Sequence, residues 1–492
     1  MSDSSSSDSV ASSSSDSVSS SSSDSVASSS SSSGGGDLTF ELIGSDLGTQ
    51  GKHTNNKWRG IAESGGKLYC SPYQEDEVLI INPSNDTTTT TGQNTVSGNT
   101  RKFVDSITNS DGKIYANPSD QISYLEIDPS GSNNPSLNLR GSGLAKNSIR
   151  GGALASGNIY GSIYYRNISS LTNPVISKFN LTTFSQSLIS FTPARTGGIY
   201  SARPNWNTER TGYTWMYDSY FGATTAGNGK VYLTPYGADR IAIVDPSNND
   251  NVSLGSDQLT GNETLYNGTW TYSVVLNHAY WNKYSGGTYV PSTGCIYCFP
   301  RHGNAILKID TSDDSATEIA LPSALRVFET KHNSGTSSEV DTYKNKSFSS
   351  VLGPDGLVYS VPYEIPFIFW IDPATDEIGY RDISTELAGS GSTINRASHS
   401  WYSYGVTYGD AIYMAPQMAS FVMKISFPST SSDSASSSDS ASSSDSASSS
   451  DSASSSDSAS SSDSASSSDS SSSFGSAKSS SSSSVSEGDG NP

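Results

Sequence analysis

The feature that most constrains this chain is a short motif that returns seven times. An apolar residue followed by Tyr, usually after Gly-X, occurs as Gly66-Lys-Leu-Tyr69, Gly112-Lys-Ile-Tyr115, Gly157-Asn-Ile-Tyr160, Gly229-Lys-Val-Tyr232, Gly294-Cys-Ile-Tyr297, Gly356-Leu-Val-Tyr359 and Asp410-Ala-Ile-Tyr413. In six of these units a proline stands three residues after the Tyr, at Pro72, Pro118, Pro235, Pro300, Pro362 and Pro416, with Ile163 in its place in the third. The same six units close a second run 13 positions after the Tyr, at Asn82, Asp128, Asp245, Asp310, Asp372 and Ser426; in the third the match is Asn180, 20 positions on. A fixed period of this kind means one supersecondary unit that buries its apolar surface only against its neighbours.

Each part of the unit has a physical reading. The X-apolar-Tyr stretch is a short β-rich run, and a proline ends its ladder because it has no N–H to donate. The following run, such as Val78-Leu-Ile-Ile81 or Ile241-Ala-Ile-Val244, is apolar enough to be buried on both faces. Asp-Pro or Asn-Pro after it starts a turn. About eleven residues before each Tyr lies another strand start, often aromatic with small residues behind it, as in Trp58-Arg-Gly-Ile-Ala62, Phe221-Gly-Ala223 and Phe348-Ser-Ser350. Small residues suit an innermost strand where repeats crowd an axis. These are strands A, B and C, with a variable outer strand D after C. The seventh strand C, Phe421-Val-Met-Lys-Ile425, has no strand D behind it, and the only spare strand is Leu38-Thr-Phe-Glu-Leu-Ile43. Pairing the two closes the ring and removes an exposed edge. The expectation is an all-β, seven-bladed β-propeller over residues 37–428, closed by an N-terminal strand.

The run Val231-Tyr-Leu-Thr-Pro-Tyr-Gly-Ala-Asp-Arg-Ile-Ala-Ile-Val-Asp-Pro246 resembles a YVTN-type propeller repeat, a relative of NHL and kelch-like repeats. Similar arrays occur in surface-layer, algal and viral surface proteins. The resemblance covers most of residues 57–427 and implies a blade scaffold. It carries no catalytic residue onto this chain, and its members include adhesive surface proteins, scaffolds and some enzymes.

Composition separates the flanks from the repeats. Residues 1–36 and 429–492 are dominated by Ser and Asp, and carry −4 and −8 of the net charge of −20. Neither has the apolar content to offset ordering entropy, so both are expected to be disordered tails. The C-terminal tail repeats Ser-Ala-Ser-Ser-Ser-Asp every six residues, placing Asp at 433, 439, 445, 451, 457, 463 and 469. It reads as an extended, soluble spacer, or as a substrate for dense phosphorylation or glycosylation. The mildly acidic middle argues against nucleic acid or an anionic membrane as partner. No apolar run approaches the ~20 residues of a membrane span, and no signal peptide is visible. The expected location is a virion or a surface, otherwise the cytoplasm. Of the three cysteines, Cys295 and Cys298 form a C-x-x-C. On a strand those positions face opposite sides about 10 Å apart, so all three read as buried free thiols rather than a disulfide, metal or redox pair.

Function must come from what departs from the repeat. Tyr-to-Tyr spacings run 46, 45, 72, 65, 62 and 54, so the later units carry insertions. These hold Trp206, Trp215, Tyr217, Trp270, Tyr272, His278 and Trp281, and Trp401 precedes the seventh unit. If these segments are loops, their rings crowd one face of the disc on neighbouring blades. Aromatic planes among Asn, Thr and Ser suit sugar rings by stacking and adaptable hydrogen bonding. The competing reading makes the same rings strand D or inter-blade core.

No catalytic constellation emerges. The five histidines (His53, His278, His302, His332, His399) are dispersed, with no HxH or HExxH pair. Asn248-Asn-Asp-Asn251 lacks the EF-hand spacing and reads as a turn. The expectation is a non-enzymatic, adhesin-like module needing no metal or cofactor. It would recognise a glycan or a surface protein, as part of a larger assembly. The alternatives are a propeller lyase or hydrolase, and an intracellular protein-interaction scaffold.

Overall fold

The computed structural model describes residues 38–47, 56–92, 95–96, 101–131, 134–142, 148–164, 175–191, 219–257, 259, 283–326, 345–388 and 400–428. Strand β1 (Thr39–Ile43) precedes the repeats. Blade 1 is β2 (Trp58–Ser64), β3 (Lys67–Pro72), β4 (Val78–Asn82) and β5 (Thr87–Thr91); blade 2 is β6 (Phe103–Thr108), β7 (Ile114–Pro118), β8 (Tyr124–Asp128) and β9 (Ser136–Arg140). Blade 3 is β10 (Ser148–Ala155), β11 (Asn158–Tyr164), β12 (Val175–Asn180) and β13 (Gln186–Ser190). Blade 4 is β14 (Tyr220–Thr225), β15 (Val231–Pro235), β16 (Ala242–Asp245) and β17 (Asn251–Leu254). Blade 5 is β18 (Tyr284–Val290), β19 (Cys295–Pro300), β20 (Ala305–Asp310) and β21 (Ser315–Ala320). Blade 6 is β22 (Ser347–Leu352), β23 (Val358–Pro362), β24 (Phe367–Ile371) and β25 (Ile378–Asp382). Blade 7 has β26 (Tyr402–Tyr408), β27 (Ala411–Pro416) and β28 (Val422–Ser426), with β1 as its outer strand in the order β1-β28-β27-β26. Each blade is one four-stranded antiparallel sheet, and strand A of every blade touches strand A of the next, β26 returning to β2. The fold is a seven-bladed β-propeller.

Local chemistry places the strands as the repeat requires. Strand B ends at the repeat proline in six blades, and that proline pairs with the start of strand A: Trp58↔Pro72, Phe103↔Pro118, Tyr220↔Pro235, Tyr284↔Pro300, Ser347↔Pro362 and Tyr402↔Pro416. In blade 3 the equivalent pair is Ile149↔Ile163, so Ile163 holds the proline's place. A register shift follows in every strand A, bending it at the axis. Glycine there is enforced by its neighbour. Gly222 sits at φ +101°, and a Cβ on it would lie 2.9 Å from the Gly286 Cα of the next blade. The polar residue closing strand C accepts bonds from the turn behind it, as Asp245 Oδ1 does from the Ser247 N–H and hydroxyl.

The core is seven inter-blade seams, each joining side chains of two adjacent blades. Cys295 and Cys298 lie in different seams, on opposite faces of β19, and all three cysteines are buried free thiols. On the far edge of several seams the repeat Tyr acquires a second role. Tyr160 Oη donates to Asp250 of the next blade at 2.6 Å, Tyr232 Oη to Asp314 at 2.6 Å, and Tyr297 Oη to Asp376 at 3.2 Å. A lysine joins each aspartate: Lys178, Lys230 and Lys308. Lys424 does the same across the closing seam, to Asp86 of blade 1 at 2.7 Å. All four aspartates have positive φ, between 55° and 63°, so a turn conformation that favours Asp also aims its carboxylate at the preceding blade.

Candidate functional site

Strand A begins, and strand B ends, on one face of the disc. Along this rim a second backbone pattern binds blade to blade: the N–H at the start of strand A donates to the residue after the preceding blade's repeat proline. Lys57 N–H reaches Gln417, Lys102 reaches Tyr73, Lys283 reaches Tyr236, Lys346 reaches Arg301 and Trp401 reaches Tyr363. The lysines here are buried. Their ammonium groups also serve the seams: Lys57 Nζ donates to the Met418 carbonyl, Lys102 Nζ to those of Gln74 and Glu75, and Lys346 Nζ to that of His302. Burial pulls the Lys57 ammonium down to about 8 against the raising influence of Glu75 and Asp46.

Inside this rim the side chains of non-adjacent blades meet across the axis. Phe221 of blade 4 and Phe348 of blade 6 meet edge to face at 5.3 Å, and Tyr404 of blade 7 meets Phe348 at 5.4 Å. Tyr236 and Tyr363, each directly after a repeat proline, pack on the two phenylalanines at 5.3 and 4.9 Å. Phe221 and Phe348 are 2% and 0% exposed, so the rings form a packed floor closing the axis.

Three arginines converge on that floor. Arg301 of blade 5 has its guanidinium 5.3–5.6 Å from the rings of Phe221, Tyr236, Phe348 and Tyr363. Arg59 of blade 1 stacks 4.0 Å over Tyr73 and lies 5.2 Å from Phe348; Arg150 of blade 3 lies 5.5 Å from Phe221. Each such contact is worth about 0.5–2 kcal/mol and fixes the plane of the guanidinium. A polar network orients two of them. Arg59 Nε donates to Gln417 Oε1 at 3.1 Å and its Nη2 to Asn56 Oδ1 at 3.3 Å, while Gln417 Nε2 donates to Asn56 Oδ1 at 2.6 Å. Arg301 Nε donates to Asn345 Oδ1 at 2.5 Å.

The electrostatics follow from this crowding. Burial raises the Tyr363 phenol, but Arg59, Arg301 and a bond with Ser400 outweigh it, leaving the group below its ordinary range. Tyr404 goes the other way: burial and the Asp105 carboxylate raise it well above that range, opposed by Arg59, Arg150 and Arg301. Asp105, at φ +65°, is the acid of this group; its oxygens accept the N–H groups of Ser106 at 2.8 Å and Gly152 at 3.1 Å. Burial nonetheless pushes it up to about 6. The cluster thus sets three guanidinium groups against packed aromatic rings, with Asp105 as an acid among them.

Of the ring residues singled out from sequence, Trp206, Trp215, Tyr217, Trp270, Tyr272, His278 and Trp281 lie outside the described residues. Trp401 corrects the reading of an exposed recognition ring. It is 3% exposed and packs in the seam between blades 6 and 7 with Leu387, Tyr402 and Met423 among others. Its position, one residue before strand A, puts it where blades 1, 2, 5 and 6 place their buried lysines. Sequence reading missed Arg59, Arg150 and Arg301. The available signal was positional: Arg301 directly follows a repeat proline, as Tyr73, Tyr236 and Tyr363 do, while Arg59 and Arg150 share with Phe221 and Phe348 the place directly after the strand A residue that pairs with the repeat proline or, in blade 3, with Ile163. Among the described residues no group of three His, Cys, Asp or Glu is arranged to hold a metal ion, and no helix is long and apolar enough to cross a membrane.

No protein-family model matches the chain, and no curated protein matches it. Solved structures do. A streptogramin B lyase aligns with TM-score 0.51 at 11% identity, covering 80% of this chain and 98% of its own. A catalytically inactive virginiamycin B lyase from Staphylococcus aureus with quinupristin aligns with the same TM-score and identity, over 80% of this chain and 100% of its own. At that identity the likeness shows the fold alone.

Proposed function

We propose that this chain is a non-enzymatic recognition module that presents the strand A rim to a glycan or protein on another surface. One observation carries the reading: the described ends of the propeller and the arginine–aromatic floor lie on opposite faces of the disc. Thr39 pairs with Ser426, and Ser426 with Ala411, so both described ends of the propeller lie on the face opposite the arginine–aromatic floor. Strands β13 and β17 end, and β14 and β18 begin, at this same rim. A place in a larger assembly such as a virion, fibre or cell coat fits this geometry.

The test is a glycan and cell-surface array probed with the full chain, together with labelling of the protein in intact cells or particles. Binding that is lost in Trp270→Ala or Trp281→Ala supports recognition through the insertions. Capture of cytosolic proteins alone would move the reading to an intracellular scaffold. The likeness to lyases motivates the enzymatic alternative: turnover of quinupristin or a related cyclic peptide, followed by mass spectrometry, would displace the binding reading.

A further inference from the structure

We infer that Tyr404 and Asp105 form a pH-sensitive brace on the axis, in which the phenol of blade 7 donates to the carboxylate of blade 2 once that carboxylate is ionised. The repeat itself marks both residues. Every strand A is unpaired from strand B over one or two residues, and these stretches hold Gly60, Asp105, Gly151, Gly222, Gly286, Ser349 and Tyr404. Four of these seven are glycines at positive φ, between 65° and 102°. Asp105 holds φ +65° without being glycine, a conformation that favours Asp over most residues but not over glycine. Tyr404 Oη is buried with no bond among the described residues, which costs about 1–3 kcal/mol for a hydroxyl. The blade scaffold requires neither departure, since glycine serves the same place in four blades.

Geometry sets the two residues on either side of blade 1, whose member of this ring is Gly60. A Cβ on Gly60 would lie 2.8 Å from the Asp105 Cα, so glycine keeps the place beside Asp105 clear. The carboxylate lies at the level of the ring, because a Cβ on Gly151 would be 3.5 Å from its Oδ2. Its bonds among the described residues come from the N–H groups of Ser106 and Gly152, which leaves lone pairs for a further donor. Asp105 is the acid whose charge acts on Tyr404, while Arg59 of β2, Arg150 of β10 and Arg301 after β19 act in the opposite sense. Those guanidinium groups are engaged with the rings, and Arg59 also with Gln417, Asn56 and Tyr363. The phenol is the donor that lacks an acceptor. A hydrogen bond to an ionised oxygen is about twice as strong as a neutral one, so ionisation draws the phenol in and protonation releases it. The contact ties blade 7, where the ring closes, to blades 2 and 3, because Asp105 Oδ2 already holds the Gly152 N–H. It stabilises the folded chain above the Asp105 midpoint and is lost as pH falls through it.

The test follows the Asp105 carboxyl carbon by NMR titration of the full chain, in the parent and in Tyr404→Phe. Removing a donor to the ionised form should raise the Asp105 midpoint by about one pH unit. An unchanged or lowered midpoint overturns the inference. Urea unfolding supplies a second reading. Tyr404→Phe should match the parent at about pH 4.5 and fall below it at about pH 8, and the pH dependence of that difference should vanish in an Asp105→Asn background. Stability of Tyr404→Phe equal to or above the parent at both pH values shows a hydroxyl that is merely unpaired, and overturns the brace. Should Tyr404→Phe fail to fold, the Tyr404 ring resonances of the unaltered chain should shift with the same midpoint as the Asp105 carboxyl. Ring resonances that stay still through that midpoint overturn it.

Discussion

Removing strand β1 is the sharpest test of how this ring is held closed. The strand buries Leu38 and Ile43, to 8% and 7% exposure, and pairs with β28 at five positions from Thr39↔Ser426 to Ile43↔Val422. Arg381 adds a bond from Nη1 to the Leu38 carbonyl at 2.9 Å and stacks over Phe40 at 4.4 Å. The two buried side chains contribute roughly 3–6 kcal/mol, and the ladder bonds about 1 kcal/mol each. Deletion also uncovers Val422, Met423 and Ile425, all now fully buried. Against these stands the ordering entropy of the strand, about 1–2 kcal/mol per residue. If the ladder bonds and the ordering entropy roughly cancel, the buried side chains set a loss on the order of 3–6 kcal/mol, a large share of the ~5–15 kcal/mol that holds a typical domain folded. Urea unfolding followed by tryptophan fluorescence should show that loss when residues 37–44 are deleted, and none when residues 1–36 alone are removed. The bared β28 edge should also promote self-association, visible by sedimentation. A peptide spanning residues 37–46 should restore part of the stability when added in excess. If the 37–44 deletion unfolds at the same urea concentration as the full chain, the closing strand does not carry the ring and the argument fails.

Other perturbations probe the seams and the site. Asp314→Ala removes the acceptor of both Tyr232 Oη and Lys230 Nζ, and should cost about 1–3 kcal/mol in urea unfolding; the neighbouring Asp313→Ala should cost less than half as much. Trp401→Ala empties a buried seam position and should lower stability by roughly 3–5 kcal/mol, so any binding defect it shows should disappear once the comparison is made on folded protein. Asp105 is pushed by burial to about 6 from its ordinary 3.8, so the fold favours its neutral form. The stability this provides is present below the ordinary value and is lost as pH rises through 6. Asp105→Asn should therefore gain on the parent by on the order of 1–3 kcal/mol between about pH 4 and pH 7, measured by unfolding at each pH; a pH-independent difference would refute the assignment. The buried thiols of Cys70 and Cys298, both raised by burial, should react with maleimide only under denaturing conditions.

What the sequence determined by itself was everything whose cause is local. Proline ends strand B where its missing N–H would be needed, Asp or Asn closes strand C by capturing the next turn, and Gly or Ser stands third in strand A of blades 1, 4, 5 and 6. Such effects act within a few residues, so their period survives in the chain and yields the blades, their number and the closing role of Leu38–Ile43. Even the degraded third unit, with Ile163 for proline, kept its register. Only the tertiary structure decided the fate of individual side chains. Trp401 looked like its aromatic neighbours in sequence, but the closing of blade 7 against blade 6 buries it. Arg59, Arg150 and Arg301 are separated by some 90 to 240 residues; the first two share one position of strand A, while Arg301 follows a repeat proline. They meet because curvature around the axis brings the inner strands of non-adjacent blades within side-chain reach, and no periodicity along the chain records that distance.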